Sequence, residues 1–335
     1  MKLRVGIVGL GNQWDSRYLP ALRSLADRFE VRGICDQVAH LAQRAATELG
    51  AAAVDGYRSL ASRDDIDAIL YLADQWYGAT PILAACDFGK AVYSAISFPF
   101  NDDEVQLLRQ RVEESGIAFM AELPRRHSPA TIRLKELIAT RLGPPRMLFC
   151  HRRVPLSGAA APTPPRDRAS EARDLMELVD WCRYAAGTEP TSVVAVRHAE
   201  KPGAEIDDYQ MMSLDFSQTG RPGDGAIAQI SCGYYMPRQW EEAVGFRPPP
   251  ALQVVCENGI AFIDLPSNLV WFDTAGRHQE SLESERPVGE HMLVQFHRKV
   301  TSLVRAMSGL DDAIKAMRIV HAAATSQSEG RRVTI

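Results

Sequence analysis

A chain of 335 residues in which 42 acidic side chains outnumber 38 lysines and arginines, for a net charge of −4, has no excess basic charge to offer a nucleic-acid backbone. It has no polybasic run to hold a membrane surface and no apolar stretch of the ~18 residues a membrane helix needs. Its 46% hydrophobic and 24% charged residues are the balance of a globular protein, with length for two domains of ~100–200 residues each.

The N-terminus is apolar only from Leu3 to Val8 and lacks the long apolar core and cleavage site of a secretion signal. Six scattered cysteines (Cys35, Cys86, Cys150, Cys182, Cys232 and Cys256) form no Cys-x-x-Cys. The expectation is a cytoplasmic protein with free, buried thiols.

Apolar runs and helical periodicities alternate through the first third. Strands are predicted at Leu3–Val8, Val31–Cys35, Ala52–Val54, Ile66–Ala73, Ala91–Tyr93 and Ile117–Ala121. Helices are predicted at Arg17–Arg28, Val38–Leu49, Pro81–Phe88 and Asp102–Ser115, with Gly50, Gly89 and Gly116 as stops. Such alternation predicts a doubly wound parallel sheet over residues 1–123.

The pattern changes near Pro124. Helix Thr131–Arg141, strand Arg146–Arg153, a Pro/Ala-rich loop and helix Ala172–Ala185 lead into six consecutive strand candidates between Ser192 and Phe272. Helices at Glu290–Ser308 and Asp311–Ser326 follow. Residues 124–335 therefore read as an α+β domain with an open, mostly antiparallel sheet.

The first strand runs into Gly9-Leu10-Gly11-Asn12-Gln13-Trp14 and then a helix. Glycines at such a turn let backbone approach a pyrophosphate resting on the helix N-terminus. Asp36 ends the second strand, where a carboxylate accepts hydrogen bonds from a ribose diol and repels the extra phosphate of NADP, so the cofactor expected is NAD. The plain alternative is a strand-to-helix turn that merely needs glycine.

These residues, with Tyr18-Leu-Pro-Ala-Leu22, Gly89-Lys-Ala-Val92, Arg126-His-Ser-Pro129 and the tail from Ala316 to Ile335, resemble the Gfo/Idh/MocA oxidoreductases, typified by glucose–fructose oxidoreductase and myo-inositol dehydrogenase. The resemblance runs over nearly the whole chain and implies a Rossmann domain followed by an α/β domain with an open antiparallel sheet.

It also exposes departures. The family's Glu-Lys-Pro motif falls on Ala95, Ile96 and Ser97, and isoleucine cannot exchange a proton with a hydroxyl. The family's Asp-x-Gly-x-His-x-x-Asp motif, whose histidine is the general base, matches Arg173 to Asp180. Glu177 takes the histidine's place, Leu175 the glycine's, and Asp180 matches the last carboxylate. The Thr-Pro pair beside the nicotinamide ribose falls on Ala73-Asp74, and the third fingerprint glycine near Trp14 or Asp15, with about one extra residue before Tyr18. A bulky Trp14 facing a pyrophosphate is unfavourable unless the loop takes another path. Trp76 and Tyr77 suit packing better than stacking on a ring.

The candidate proton-handling residues are Glu177, Asp180 and Asp174; against this stands a solvated acidic helix face, the reading the helix pattern alone favours. Gly9, Gly11, Asn12, Gln13, Asp36 and Ala73 are the cofactor candidates. Arg126, Arg152 and Tyr234, with Arg125, Arg153 and Tyr235 beside them, are the substrate candidates, in a cleft between domains where arginine would suit an anionic sugar. His127 reads as a cap for the helix after it, His291 and His297 lie six apart, no spacing argues for a metal, and no Gly-x-Ser-x-Gly appears.

The expectation is an NAD-dependent oxidoreductase of a sugar, polyol or related hydroxy compound with a degenerate active site. The alternatives are a non-catalytic or regulatory relative that binds a ligand or subunit, and an enzyme of altered chemistry on a retained nucleotide. Family members commonly pair sheet on sheet, which implies a homodimer or homotetramer.

Overall fold

The computed structural model describes residues 1–73, 77–95, 102–156, 168–199, 208–217, 221, 223–237, 248–265, 267–282, 286–302 and 308–335. The chain divides into two compact units: Met1–Pro124 with Arg286–Lys315, and Arg125–Glu285 with Ala316–Ile335. The units part between Pro124 and Arg125, and the first also takes in a segment from late in the chain.

Six parallel strands make the first unit's sheet: β1 (Leu3–Val8), β2 (Phe29–Cys35), β3 (Ala52–Ala53), β4 (Ala68–Tyr71), β5 (Ala91–Ser94) and β6 (Phe119–Ala121). Their order is β3-β2-β1-β4-β5-β6, the doubly wound order with its switch point between β1 and β4. β4 and β5 are buried along their whole length, as strands covered on both faces must be. Helices α1 (Leu19–Ser24), α2 (Ala39–Leu49), α3 (Tyr57–Ala61), α4 (Thr80–Asp87) and α5 (Asp102–Ser115) connect them. A late helix, α8 (Val288–Thr301), buries Met292, Leu293, Val294 and Phe296 in the same core as Leu3, Val5 and Ile7. Its Phe296 meets Tyr93 of β5 edge-on at 5.5 Å.

The expected helix Arg17–Arg28 is shorter and begins differently. Trp14–Tyr18 form one π-helical turn, in which Tyr18 N–H donates to Gln13 O at 3.3 Å and Leu19 N–H to Trp14 O. A π turn accommodates one residue more than an α turn, and this is where the extra residue before Tyr18 goes. Trp14 is therefore turned into the core, at 3% exposure, and does not line the glycine loop.

The second unit is built on a nine-stranded sheet of order β14-β13-β12-β11-β7-β10-β9-β8-β15. Its strands are β7 (Pro145–Leu156), β8 (Ser192–His198), β9 (Tyr209–Asp215), β10 (Ile227–Pro237), β11 (Leu252–Cys256), β12 (Ile260–Asp264), β13 (Asn268–Asp273), β14 (Gly276–Ser281) and β15 (Val333–Thr334). All neighbours are antiparallel except β7 and β10. Helix α6 (Pro129–Leu137) begins at Ser128, whose Oγ accepts from Thr131 N–H at 3.3 Å; the cap is Ser128, not His127.

Helix α7 (Arg168–Ala186) buries Leu175, Met176, Leu178, Val179, Trp181 and Cys182. Leu148 and Cys150 of β7 and Ile230 of β10 are buried on the strands it packs against. Each large apolar side chain so buried stabilises by about 1.5–3 kcal/mol. The sheet's other face leaves Met147, Val194, Val196, Ile227 and Phe272 exposed. The last helix is α9 (Ser308–Glu329). All six cysteines are free and buried, and no helix among the described residues is long and apolar enough to cross a membrane.

Candidate functional site

In the first unit the loop after β1 has Gly9 at φ +70° and Gly11 at φ +66°, where other residues are strained. Both press against the end of β4. A Cβ on Gly9 would lie 2.9 Å from Ala73 Cβ and one on Gly11 2.9 Å from Leu72 O, so the small Ala73 and the two glycines fit as a set. Gly11 and Asn12 are exposed beyond this contact, while Gln13 Oε1 is buried with no hydrogen bond among the described residues.

Asp36, just past β2, ties the loop down. Its Oδ2 accepts from Leu10 N–H and its Oδ1 from Val38 N–H, each at 2.9 Å. Each carboxylate oxygen retains a further lone pair, so the geometry fits a ribose diol as well as the loop. The switch-point position, the open glycine turn and the acid at the end of β2 are the features that a dinucleotide site in this fold uses. Tyr77 packs edge-on against Tyr57 at 5.4 Å, and burial pushes its hydroxyl up to about 12. Ile96 and Trp76 lie outside the described residues.

A buried carboxylate not singled out in the sequence closes β6. Glu122, at 2% exposure, accepts from Tyr18 Oη at 2.5 Å and pairs with Arg17. Both partners sit at the end of the π turn, so the extra residue and the acid answer each other. Its sequence signal is a lone acid directly after the apolar Phe119-Met-Ala121.

In the second unit, α7 carries Asp174, Glu177 and Asp180, and none of them is solvated. Their side chains are 18%, 11% and 1% exposed. The solvated acidic face is thereby excluded: each carboxylate has arginine against it.

Asp180 is held on both oxygens by Arg126, with Nε 2.5 Å from Oδ2, and Arg183 adds a contact at 3.3 Å to Oδ1. Arg183 itself is bound through Nε and Nη2 to Glu189, each at 2.7 Å. Arg126 also lies over the Tyr184 ring.

Asp174 faces the sheet. Arg152 of β7 meets its Oδ1 at 2.8 Å and Tyr234 of β10 donates to its Oδ2. Burial raises its carboxyl above the usual range, and Arg152 and the Tyr234 hydrogen bond oppose this. Burial together with the Asp174 charge pushes the Tyr234 hydroxyl up, and burial lifts the Cys232 thiol to about 11.

Glu177 is held more loosely. Arg173 Nε stands 3.4 Å from its Oε1 and Arg125 Nε 3.6 Å from its Oε2. Arg125 lies over the Trp181 ring at 5.3 Å, and the Trp181 indole N–H donates to Thr131 Oγ1 at 2.8 Å. The structure thus brings Arg126, Arg152 and Tyr234 into contact with the α7 carboxylates, while Arg153 and Tyr235 point to solvent.

Residues 3–94 match the sequence model of the oxidoreductase family with the NAD-binding Rossmann fold. The dehydrogenase aclE of Aspergillus oryzae is 27% identical over 146 residues, a match spanning 41% of this chain and 40% of that protein. The chain thus covers about two fifths of that relative's length.

Two solved structures share the fold over all of this chain. One is an aldose–aldose oxidoreductase from Caulobacter crescentus complexed with glycerol, at TM-score 0.82 and 17% identity, with all of that chain covered. The other is an oxidoreductase from Agrobacterium radiobacter in complex with NAD+, L-tartaric acid and magnesium, at TM-score 0.82, 15% identity and 98% of that chain. Over residues 3–94 the chain is thus similar to the NAD-binding Rossmann domain of the Gfo/Idh/MocA oxidoreductases, and over its whole length it shares the fold of the two solved structures.

Proposed function

We propose that the protein is an NAD-dependent oxidoreductase of a sugar, polyol or related hydroxy compound, working with a rebuilt set of proton-handling residues. The observation that carries this is the glycine loop: Gly9 and Gly11 seated on Ala73, with Asp36 holding Leu10 N–H. A bound nicotinamide would take the hydride. Gly9, Gly11, Asn12 and Gln13 would line its pyrophosphate, and Asp36 would take the ribose diol and disfavour the added phosphate of NADP.

Of the three acids on α7, Asp180 is clamped by Arg126 and Asp174 is shut against the sheet by Arg152 and Tyr234. Glu177, in the place of the motif histidine and held by longer contacts, is in this reading the proton acceptor, with Asp180 and Asp174 fixing the helix around it. The exposed apolar residues of the nine-stranded sheet support a homodimer or homotetramer closed through that face. Free, buried thiols suit a reducing cytoplasm.

The test is a fluorescence titration of the full chain with NADH and NADPH, followed by a turnover screen on neutral and acidic hydroxy compounds. Saturable NADH binding, tighter than NADPH, with turnover of a hydroxy compound is expected. No NADH binding at millimolar concentration rejects the reading, and binding without any turnover leaves the non-catalytic relative.

A further inference from the structure

The surroundings of Arg125 differ from those of Arg126, Arg152 and Arg183. Arg126 is committed to Asp180, Arg183 to Glu189 and Arg152 to Asp174, each with a contact of 2.8 Å or shorter. Arg125 instead lies over the Trp181 ring, and its buried Nε–H makes no hydrogen bond among the described residues. Its neighbour Glu177 stands 3.6 Å away, beyond good N–H···O length. Buried polar groups in native proteins are nearly all satisfied, and an exception calls for an absent partner.

Glu177 shows what kind of partner. The Glu177 carboxylate stands 3.6 Å from Arg125 Nε and makes no short bond to it, while its other oxygen meets Arg173 of the same helix at 3.4 Å. The Trp181 indole covers one side of the Arg125 guanidinium, whose Cζ lies 5.3 Å from the ring centroid. The guanidinium fork is matched in shape by a carboxylate, which it binds through two parallel N–H···O bonds.

On the reading of the protein as an oxidoreductase of a hydroxy compound, on which this inference rests, we propose that the substrate is a carboxylate-bearing hydroxy compound, a sugar acid or 2-hydroxy acid, whose carboxylate is bound by Arg125. The incoming group replaces Glu177 like for like at Arg125, so the ligand-free protein carries its own stand-in anion. Glu177, released, faces the hydroxyl end of the same molecule. A phosphate dianion would set two charges against Glu177 where a carboxylate sets one, so the carboxylate is the better match.

The test is calorimetric titration of the full chain with D-gluconate and D-galacturonate, against sorbitol, D-galactose and D-glucose 6-phosphate. The acids are expected to bind at least about tenfold more tightly than their neutral counterparts and than the phosphate ester. Arg125→Met removes that preference with NADH binding retained. Glu177→Gln, which takes away the competing carboxylate, tightens the acids several-fold. Arg125→Lys, which keeps the charge without the fork, serves if the methionine variant does not fold, and it weakens the acids.

Equal affinity for acids and neutral compounds, a preference for the phosphate ester, or acid binding unmoved by the Arg125 variants overturns the proposal. Intact NADH binding with turnover of neutral compounds alone overturns it while the oxidoreductase reading stands. Loss of NADH binding with acid preference intact does the reverse.

Discussion

Arg173 and Glu177 face each other one turn apart on α7, Nε to Oε1 3.4 Å. In the family's motif this spacing holds an aspartate followed by a histidine, so the pair survives here with its polarity inverted: cation first, anion second. An i,i+4 ion pair is worth only a few tenths of a kcal/mol to a helix, too little to explain placing both groups where they are nearly buried. The proposed proton-accepting role of Glu177 would account for it.

Glu177→Gln should lower kcat on any substrate found by about 10²–10⁴, the contribution of a positioned base, while the NADH dissociation constant stays the same. Steady-state kinetics beside a fluorescence titration decide it. A kcat within about twofold of the native protein would remove Glu177 from the chemistry.

Asp36 is bound to both Leu10 N–H and Val38 N–H at 2.9 Å. Asp36→Ala leaves Leu10 N–H without its acceptor, at a cost of about 1 kcal/mol, and takes away the charge that excludes NADP. NADH affinity should fall and the NADH-to-NADPH affinity ratio should shrink by about tenfold. An unchanged ratio would mean that coenzyme choice is made elsewhere.

Breaking the Arg126–Asp180 pair should be expensive, because Asp180 is 1% exposed. Arg126→Met leaves that carboxylate with Arg183 at 3.3 Å as a weaker partner. A loss of about 3 kcal/mol is expected, at the lower end for a broken buried pair, read from urea unfolding followed by tryptophan emission. A shift in midpoint too small to measure would show that Arg183 suffices.

Arg4 binds Asp67 through Nε at 3.0 Å and Nη2 at 2.6 Å, with a backbone bond at 2.9 Å. The side-chain hydrogen bond from Arg4 holds the Asp67 carboxyl below its ordinary range. A depressed acid stabilises the fold above its unfolded value and loses that stabilisation as pH falls through the folded one. Asp67→Asn should therefore cost about 1 kcal/mol at pH 7, modest because the pair is about a third exposed. The difference from the native protein should begin to shrink below about pH 4 and close only as pH falls through the depressed value of folded Asp67. A gap that does not shrink as pH falls below about 4 would assign the cost to packing.

Val196 and Ile227 project from the open side of the nine-stranded sheet, with Met147, Val194 and Phe272 on the same side. Val196→Glu with Ile227→Glu should turn an oligomer into monomers in light scattering coupled to size exclusion, with little change in far-ultraviolet circular dichroism. An oligomer that survives both glutamates would have to close through another surface.

Regular elements with a strong period were legible in the residues. Helix Asp102–Ser115 and strand Ile260–Asp264 come out with the expected bounds because an apolar pattern and a turn residue coincide at their ends. Helix α3 and strands β14 and β15 were not foreseen. Five residues are too few to show a helical period, β14 reads Gly-Arg-His-Gln-Glu-Ser with no apolar alternation, and β15 has two residues. The π turn left a trace only as a one-residue misfit before Tyr18.

For the site, helix register brought Asp174, Glu177 and Asp180 together, but not their burial. Arg126 lies 54 residues from Asp180 in sequence, and a pairing at that separation is written in tertiary packing alone. The acids looked like a wet stripe because arginines from β7 and from the turn before α6 supply the cover.

Helix α8 lends Met292, Leu293, Val294 and Phe296 to a core otherwise built from the first 120 residues. Chain emerging from a ribosome at about 5–20 residues each second would present the glycine loop and all six parallel strands well before the helix that seals them. The first unit must therefore wait, unsealed, until the chain has been made as far as Thr301. A fragment ending at Pro124 would keep a greasy groove where Phe296 belongs.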